Sequence, residues 1–208
     1  MTVDTFFKKF DEFAGAPNAV KKMRELILKL AVSGKLVEQN DGDEPVADAI
    51  ARIAFERNKT KKAVENGNSK VPSTFIIGGT YHKIPKTWEW VRLIDVSIQL
   101  TDGEHLSPPK VSSGVPLLTA KNVSSGKVLF IDTQYVPEDF AKTAWKRCKP
   151  QYGDILVCSR GTIGNCAIYN TEKLSCLMGS LVLIRPNTKT IIGEYLKMLL
   201  QTEDCLKW

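Results

Sequence analysis

The pattern of apolar and polar residues changes along the chain, and its first part has helical spacing. After Pro17, apolar side chains recur every three or four positions through Met23, Ile27 and Leu30, so the sequence predicts an amphipathic helix. Gly34 is expected to end this helix, because glycine readily adopts the left-handed conformation that follows a helix C-terminus.

A second predicted helix runs from Val46 to about Lys62, with apolar residues on one face and an opposite face that becomes basic towards its end. Broad apolar faces on two successive helices favour an arm that docks onto another chain. Packing of both helices onto this chain's own domain is the alternative. The predicted subunit-interaction residues of this arm are Met23, Ile27, Leu30, Val46, Ile50 and Ile53.

The helical period is lost at residues 67–83, which are rich in Gly, Asn, Ser and Pro and predict a linker. Beyond the linker, short apolar runs predict strands at 88–93, 115–120, 128–131, 155–158, 166–169 and 174–185, and residues 191–200 return to helix. The predicted class is α+β: an N-terminal helical arm at 1–66, then a mixed β-sheet domain at 84–208 with a C-terminal helix. We expect this domain to be incomplete at its C-terminus.

The most informative stretch joins the predicted strands 155–158 and 166–169. Its loop, residues 159–165, reads SRGTIGN, with two glycines that permit a tight turn, one Arg and no acid. Such a loop can donate hydrogen bonds to phosphates and base edges, whereas an ordinary hairpin with a solvated Arg is the alternative. Its candidate DNA contacts are Arg160, Thr162 and Asn165.

Further polar and basic segments carry side chains of the same kind. Residues 100–110, LTDGEHLSPPK, form a predicted loop, Lys121 and Asn122 follow a predicted strand, and a basic cluster precedes the central loop with no acid between 140 and 153. The candidate contacts with base edges are Thr101, Asp102, His105, Lys121 and Asn122, and the candidate phosphate contacts are Lys110, Lys142, Lys146 and Arg147. For each of them a solvated surface role is the alternative.

Composition and charge narrow the class of protein. The 208-residue chain is 43% hydrophobic with a formal net charge of +6, which is typical of a soluble globular protein and favours an acidic partner. No apolar run is long enough to span a bilayer, so we expect no membrane partner. The five cysteines follow no metal or disulfide spacing, and we expect a cytoplasmic location.

Motifs for catalysis are not found in the sequence. Residues 107–110, SPPK, superficially resemble the Ser-Pro-Pro-aromatic motif of amino-methyltransferases, but Lys110 stands where the aromatic ring is needed. Ser159 lies outside any G-x-S-x-G, and no phosphate-binding G-x-x-x-x-G-K-[ST] is present. We therefore expect no catalytic residue, no metal site and no cofactor in this chain.

Several stretches, taken in order, resemble the specificity subunits of type I restriction–modification systems. They are LILKLAVSGKLVEQ at 26–39, DEPVADAIARI at 43–53, IPKTWEWVRLIDV at 84–96, TDGEHLSPP at 101–109 and DILVCSRGTIGNCAI at 154–168. One departure lies in the fourth stretch, where Glu104 occupies a position at which the family frequently has Thr.

The resemblance implies a fold, a task and partners. Full-length members carry two target recognition domains separated by long antiparallel helices, and each domain reads half of a split sequence in double-stranded DNA. Modification subunits bind S-adenosylmethionine and methylate adenine, while a restriction subunit uses ATP and Mg²⁺ for translocation and cleavage. This chain would supply one non-catalytic recognition domain, either as a fragment or as a half-length subunit that forms a homodimer. A protein-interaction scaffold that does not bind DNA is the alternative from another class.

Overall fold

The structure, a computed structural model, describes residues 3–15, 17–40, 42–44, 46, 48, 51, 52, 55, 83–188 and 191–206. The chain divides into two compact units, Met1–Val91 and Arg92–Trp208. Apart from Lys83, the predicted linker lies outside the described residues, so the predicted boundaries at 66 and 83 stay predictions.

The described part of the first unit contains the helices α1 (Val3–Lys8), α2 (Phe10–Ala14) and α3 (Ala19–Val32). α3 confirms the helix predicted from the apolar spacing, and it is followed as predicted by Gly34, whose φ is +67°. The Gly34 N–H donates to Ala31 O at 3.2 Å and the Lys35 N–H donates to Leu30 O at 2.9 Å. These paired bonds form a Schellman motif, which satisfies carbonyl groups that the helix end leaves without partners.

The second predicted helix is described only in part. Val46, Asp48, Ala51, Arg52 and Phe55 are helical, and Val46 is half-buried. Ile50 and Ile53 lie outside the described residues, so their part in a subunit interface stays a prediction.

The second unit alternates short strands with a few helices. In chain order its elements are β1 (Ser97–Asp102), β2 (Val115–Leu118), β3 (Val123–Ser124), β4 (Lys127–Val128), β5 (Gln134–Val136), α4 (Glu138–Trp145), β6 (Ile155–Cys158), β7 (Cys166–Ile168), β8 (Cys176–Leu177), β9 (Leu181–Pro186), α5 (Gly193–Leu200) and α6 (Glu203–Leu206). Single helical turns lie at Leu93–Val96 and Ala120–Asn122.

A four-stranded antiparallel sheet with the order β1, β9, β6, β7 forms the centre of this unit. Residues of the two inner strands alternate between two apolar clusters: Leu156 and Leu183 belong to one, Ile155 and Ile184 to the other. Because both faces of the sheet are covered, β6 and β9 are apolar along most of their length instead of alternating with polar residues. The continuous apolar run is the reason that the sequence predicts β6.

Different elements cover the two faces. α5 packs on one face, where Leu196 joins the cluster of Ile155 and Ile184. The other face contributes to a cluster with Leu118 and Leu177 from a three-stranded sheet of order β5, β2, β8. The β2–β8 pair is parallel and the β2–β5 pair antiparallel, so this second sheet is mixed, and α4 packs against it. The predicted α+β class with a mixed sheet is confirmed.

Three of the predicted strands differ from those observed, and one of them, 128–131, is a strand only at Val128, in β4. Residues 88–92 form irregular chain, and the first strand begins only at Ser97, so the predicted loop at 100–110 starts inside β1. The predicted strand 174–185 is divided into β8 and β9 by residues 178–180. The sequence pattern also did not predict β5 or α4. β-propensity marks residues that suit a half-buried surface, and it does not show which runs find a strand partner.

A buried ion pair ties β9 to the chain that precedes β6. Arg185 donates to both carboxylate oxygens of Asp154, each at 2.7 Å, and Asp154 is 1% exposed. Arg185 also donates to Gln99 Oε1 at 2.8 Å and to Lys149 O at 2.9 Å, while the Gln151 N–H donates to Asp154 at 2.7 Å. Burial raises the pKa of Asp154, and the hydrogen bonds and charge of Arg185 oppose this rise.

We expect Arg185→Met to lower the free energy of unfolding by about 3–5 kcal/mol, because it leaves the Asp154 carboxyl buried without its partner. Urea unfolding followed by circular dichroism measures the change. Lys142→Met is the control: its ion pair with Glu138, at 3.1 Å, is exposed, and such pairs contribute about 0–1 kcal/mol. A loss at Arg185 no larger than that at Lys142 would contradict the structural role given to the buried pair.

Candidate nucleic-acid interface

Three loops meet at one end of the four-stranded sheet: the chain after β1, the β6–β7 hairpin loop and the β8–β9 connection. The Gly179 N–H donates to Glu104 O at 2.7 Å, and the Ser159 N–H donates to Ser180 O at 3.0 Å. The turn after β2 joins them, since the Ala120 N–H donates to Ser180 Oγ at 3.2 Å. Together they form a polar recess of roughly 170 Å³, lined by Glu104, His105, Thr119, Arg160, Met178, Gly179 and Ser180.

The β6–β7 loop is a tight turn shaped by two glycines. Gly161 and Gly164 have φ angles of +75° and +85°, which residues with a Cβ atom rarely adopt. The Cys158 N–H donates to Asn165 O at 2.8 Å, and the Gly164 N–H donates to Cys158 O at 3.1 Å, which closes the loop. The predicted hairpin is confirmed. The residues it exposes include Arg160, Thr162, Ile163 and Asn165.

Arg147 holds the segment that follows β1. Its guanidinium donates to Asp102 Oδ1 at 2.7 Å and to Gly103 O at 2.6 Å, and it lies 3.4 Å from Glu104 Oε1. Gln99 Nε2 donates to the Arg147 carbonyl at 2.8 Å, which links this contact to the buried ion pair. The sequence predicted Arg147 as a phosphate contact. That contact stays a prediction. Within the chain the guanidinium supports this segment, because carboxylate and carbonyl oxygens accept its hydrogen bonds.

Asp102 has a supporting role of the same kind. Its second carboxylate oxygen, Oδ2, lies 2.5 Å from His105 Nε2, so both oxygens have partners within the chain. Burial tends to raise the pKa of Asp102, but the hydrogen bonds from Arg147 and His105 outweigh it, and the pKa lies below its ordinary value. Within the chain Asp102 thus holds His105, which lines the recess, and its predicted base contact stays a prediction.

Asn122 is buried, with 4% exposure, and its side chain is used within the fold. Its Oδ1 accepts the Thr119 N–H at 2.9 Å, and its Nδ2 donates to Leu129 O at 3.0 Å and to Ile131 O at 3.3 Å. With both amide hydrogens engaged, Asn122 does not fit its predicted contact with a base edge. It stabilises the turn that carries the exposed Lys121.

The remaining candidates differ in how they are placed. His105 and Arg160 line the recess, and Lys121 lies on the turn that follows Thr119, another lining residue. Thr101 is half-buried in β1. Exposed candidates that do not line the recess are Lys110, Lys142, Lys146, Thr162 and Asn165, and Lys142 pairs with Glu138 at 3.1 Å.

The predicted interaction residues of α3 line an apolar groove within the first unit. Met23, Ile27 and Leu30 share this groove, of roughly 410 Å³, with Phe7 and Phe10. Phe7 is 67% exposed and Ile27 is 42% exposed. Clustered apolar side chains left open to solvent are typical of a docking surface. The interface role of these residues stays a prediction.

The described residues give little support to a reactive thiol, a metal site or a membrane span. Cys148, Cys158, Cys166 and Cys176 are buried free thiols, and Cys205 is exposed. Burial raises the pKa of Cys148 to about 12 and those of Cys166 and Cys176 to about 11, so these thiols stay protonated at neutral pH. Within the described ranges no group of three metal-binding side chains comes together, and no described helix is long and apolar enough to cross a membrane.

Curated proteins with similar sequences are specificity subunits of type I restriction enzymes. This confirms the resemblance found in the sequence. The type I restriction enzyme EcoEI specificity subunit of Escherichia coli is 37% identical over 91 residues, which are 41% of this chain and 15% of that protein. The EcoAI specificity subunit of the same organism is 26% identical over 197 residues, 93% of this chain and 33% of that protein. The alignments thus span no more than about a third of these relatives. No protein-family model matches the sequence.

Two solved structures show a weaker similarity. The HsdS subunit from Thermoanaerobacter tengcongensis has a TM-score of 0.41 and 14% identity, covering 88% of this chain and 39% of that one. A chain from a structure of the type I R-M system has a TM-score of 0.41 and 16% identity, covering 91% of this chain and 38% of that one.

We expect Arg147→Ala to speed amide hydrogen exchange at Gly103 and Glu104, whose N–H groups donate to Leu181 O and Leu177 O. Hydrogen bonds to a charged group contribute about 1.5–3 kcal/mol, so their loss corresponds to exchange about 10–150-fold faster. Lys146→Ala, an exposed neighbour, is the matched control and should leave these rates unchanged. If Arg147→Ala behaves like this control, the guanidinium does not hold the segment.

Proposed function

We propose that this chain recognises double-stranded DNA by sequence, as the specificity part of a type I restriction–modification complex, and catalyses no reaction itself. The observation that carries the proposal is the convergence of loops bearing His105, Arg160 and Lys121 at one end of a rigid sheet. The similarity to specificity subunits supports the same function.

Arg160 would be the principal base-reading residue. It is exposed on a loop without an acidic residue, and two positive-φ glycines fix the path of that loop. A guanidinium can donate two parallel hydrogen bonds to O6 and N7 of guanine, which no other base pair presents in the same way. Thr162 and Asn165, exposed on the same loop, would add hydroxyl and amide contacts.

Lysines would supply the part of the affinity that does not depend on sequence. Lys121 lies next to the recess, and Lys110, Lys142 and Lys146 are exposed elsewhere on the second unit. Ammonium groups that neutralise phosphates release counterions, which favours binding and makes it sensitive to salt. Lys142 would first have to leave Glu138, so we expect a smaller contribution from it.

Partner subunits would carry out the catalytic reactions. Modification subunits would bind S-adenosylmethionine and methylate adenine, and a restriction subunit would use ATP and Mg²⁺ for translocation and cleavage. The α3 groove, with Met23, Ile27 and Leu30, would contribute to docking these subunits or a second copy of this chain. We place this complex in the cytoplasm. Two copies would read a symmetric split site, whereas a different second recognition domain would give an asymmetric one.

The same groove favours a second candidate, a protein-interaction scaffold that does not bind DNA. This apolar groove, with a volume of roughly 410 Å³, would hold a protein partner under either hypothesis. The two hypotheses differ only in the role of the recess, so binding to DNA separates them.

We expect the full chain, bound to its modification subunits, to select a common sequence from a library of random duplexes. Arg160→Ala should reduce discrimination at one base pair by about 1–3 kcal/mol, or about 5–150-fold. Lys146→Ala is the control, because Lys146 is an exposed candidate phosphate contact that does not line the recess. It should weaken binding to all duplexes alike and reduce the slope of log K against log salt by about 0.9.

The outcomes separate the two parts of the proposal. If the complex forms but enriches no sequence, the chain is a scaffold and DNA recognition is wrong. If the complex selects a sequence and Arg160→Ala selects it equally well, recognition stands and the role given to Arg160 is wrong.

A further inference from the structure

Glu104 is an acid among the residues that line the recess, where the other charged or titratable lining residues, His105 and Arg160, are basic. Its side chain is 20% exposed. In a surface that binds DNA, a carboxylate repels phosphates and does not add to non-specific affinity. Attraction to the DNA backbone therefore does not account for an acid at this point.

The main chain around Glu104 is held firmly. Its N–H donates to Leu177 O at 2.7 Å, and its carbonyl accepts the Gly179 N–H at 2.7 Å. A Cβ atom on Gly103 would lie 2.4 Å from the carbonyl oxygens of Leu177 and Met178, so the two segments approach as closely as a glycine permits. The fold thus sets the main-chain position of Glu104 before any ligand binds, as a specificity residue requires.

The contact between Glu104 and Arg147 leaves the carboxylate available. At 3.4 Å it is long for a charge-assisted hydrogen bond and involves one of the two carboxylate oxygens. The stronger bonds of Arg147 go to Asp102, at 2.7 Å, and to Gly103 O, at 2.6 Å. Arg147 can therefore stay in place while Glu104 accepts a hydrogen bond from a ligand.

Resting on the function proposed above, we infer that Glu104 is a specificity-determining residue that accepts a hydrogen bond from the exocyclic amino group of cytosine or adenine. An ionised carboxylate only accepts hydrogen bonds, so it favours these amino groups and disfavours the oxygen acceptors of guanine and thymine. Arg160 and His105, in the same recess, read neighbouring acceptors. The recess would thereby favour some base edges and disfavour others within one small area.

The test compares Glu104→Ala with wild type in selection from random duplexes, using the full chain with its modification subunits. We expect the preference for cytosine or adenine at one position to fall by about 5–150-fold, which corresponds to about 1–3 kcal/mol. Affinity for duplexes that lack the site should stay unchanged or rise, because a negative charge has been removed. Glu104→Gln, whose amide also donates, should shift the preference at that position towards adenine.

Glu138→Ala is the matched control, since Glu138 is an exposed acid on α4 that does not line the recess. It should leave the base preferences unchanged. A Glu104→Ala complex that selects the wild-type sequence with uniformly weaker affinity would show a merely structural role and overturn the inference. Failure of wild type to select any sequence would instead remove the proposed function, and this inference with it.

Discussion

The buried pair between Asp154 and Arg185 is the interaction on which the arrangement of the second unit depends. A carboxylate that is 1% exposed must be paired and hydrogen-bonded, and Arg185 satisfies it from the neighbouring strand. From this pair a chain of hydrogen bonds continues through Gln99 to Arg147, and from Arg147 to Asp102. Polar groups in the interior are thus connected to the edge of the recess.

This connection explains how short strands and polar loops can present side chains with fixed geometry. The sheet is covered on both faces by apolar clusters, and the loops leave it at one end, where main-chain hydrogen bonds join them. Gly103 permits an approach that a Cβ atom would prevent, because that atom would lie 2.4 Å from the carbonyl oxygens of Leu177 and Met178. A rigid scaffold with exposed loops is the usual foundation of a binding site.

The sequence predicts an element well where residues close together in the chain determine it. The spacing of α3, its stop at Gly34 and the hairpin around Arg160 are signalled by nearby residues, and the structure has each of them. The roles of Arg147 and Asn122 depend on partners brought close by folding. Arg147 contacts Asp102, 45 positions earlier in the chain, and no periodicity reveals such a contact. Residue type alone therefore predicts both side chains as contacts with DNA.

The proposed role of Glu104 is not evident from the sequence for a related reason. In the sequence it is one polar residue in a loop, and only the parallel bridge between Glu104 and Met178 places it beside Arg160. The apolar run at 174–185 likewise gave no sign of the break at 178–180, where Gly179 and Ser180 complete the recess. The signal that was available is the departure of Glu104 from the residue that the resembling family frequently has there.

The most direct test of whether this chain directs partner subunits to a DNA sequence is co-expression of the chain with its modification subunits. Methylated adenines are then mapped in the host DNA. The account predicts methylation at one recurring split motif, symmetric if two copies of the chain assemble and asymmetric if a different recognition domain completes the site. A stable complex that leaves no methylation at any common motif would contradict it.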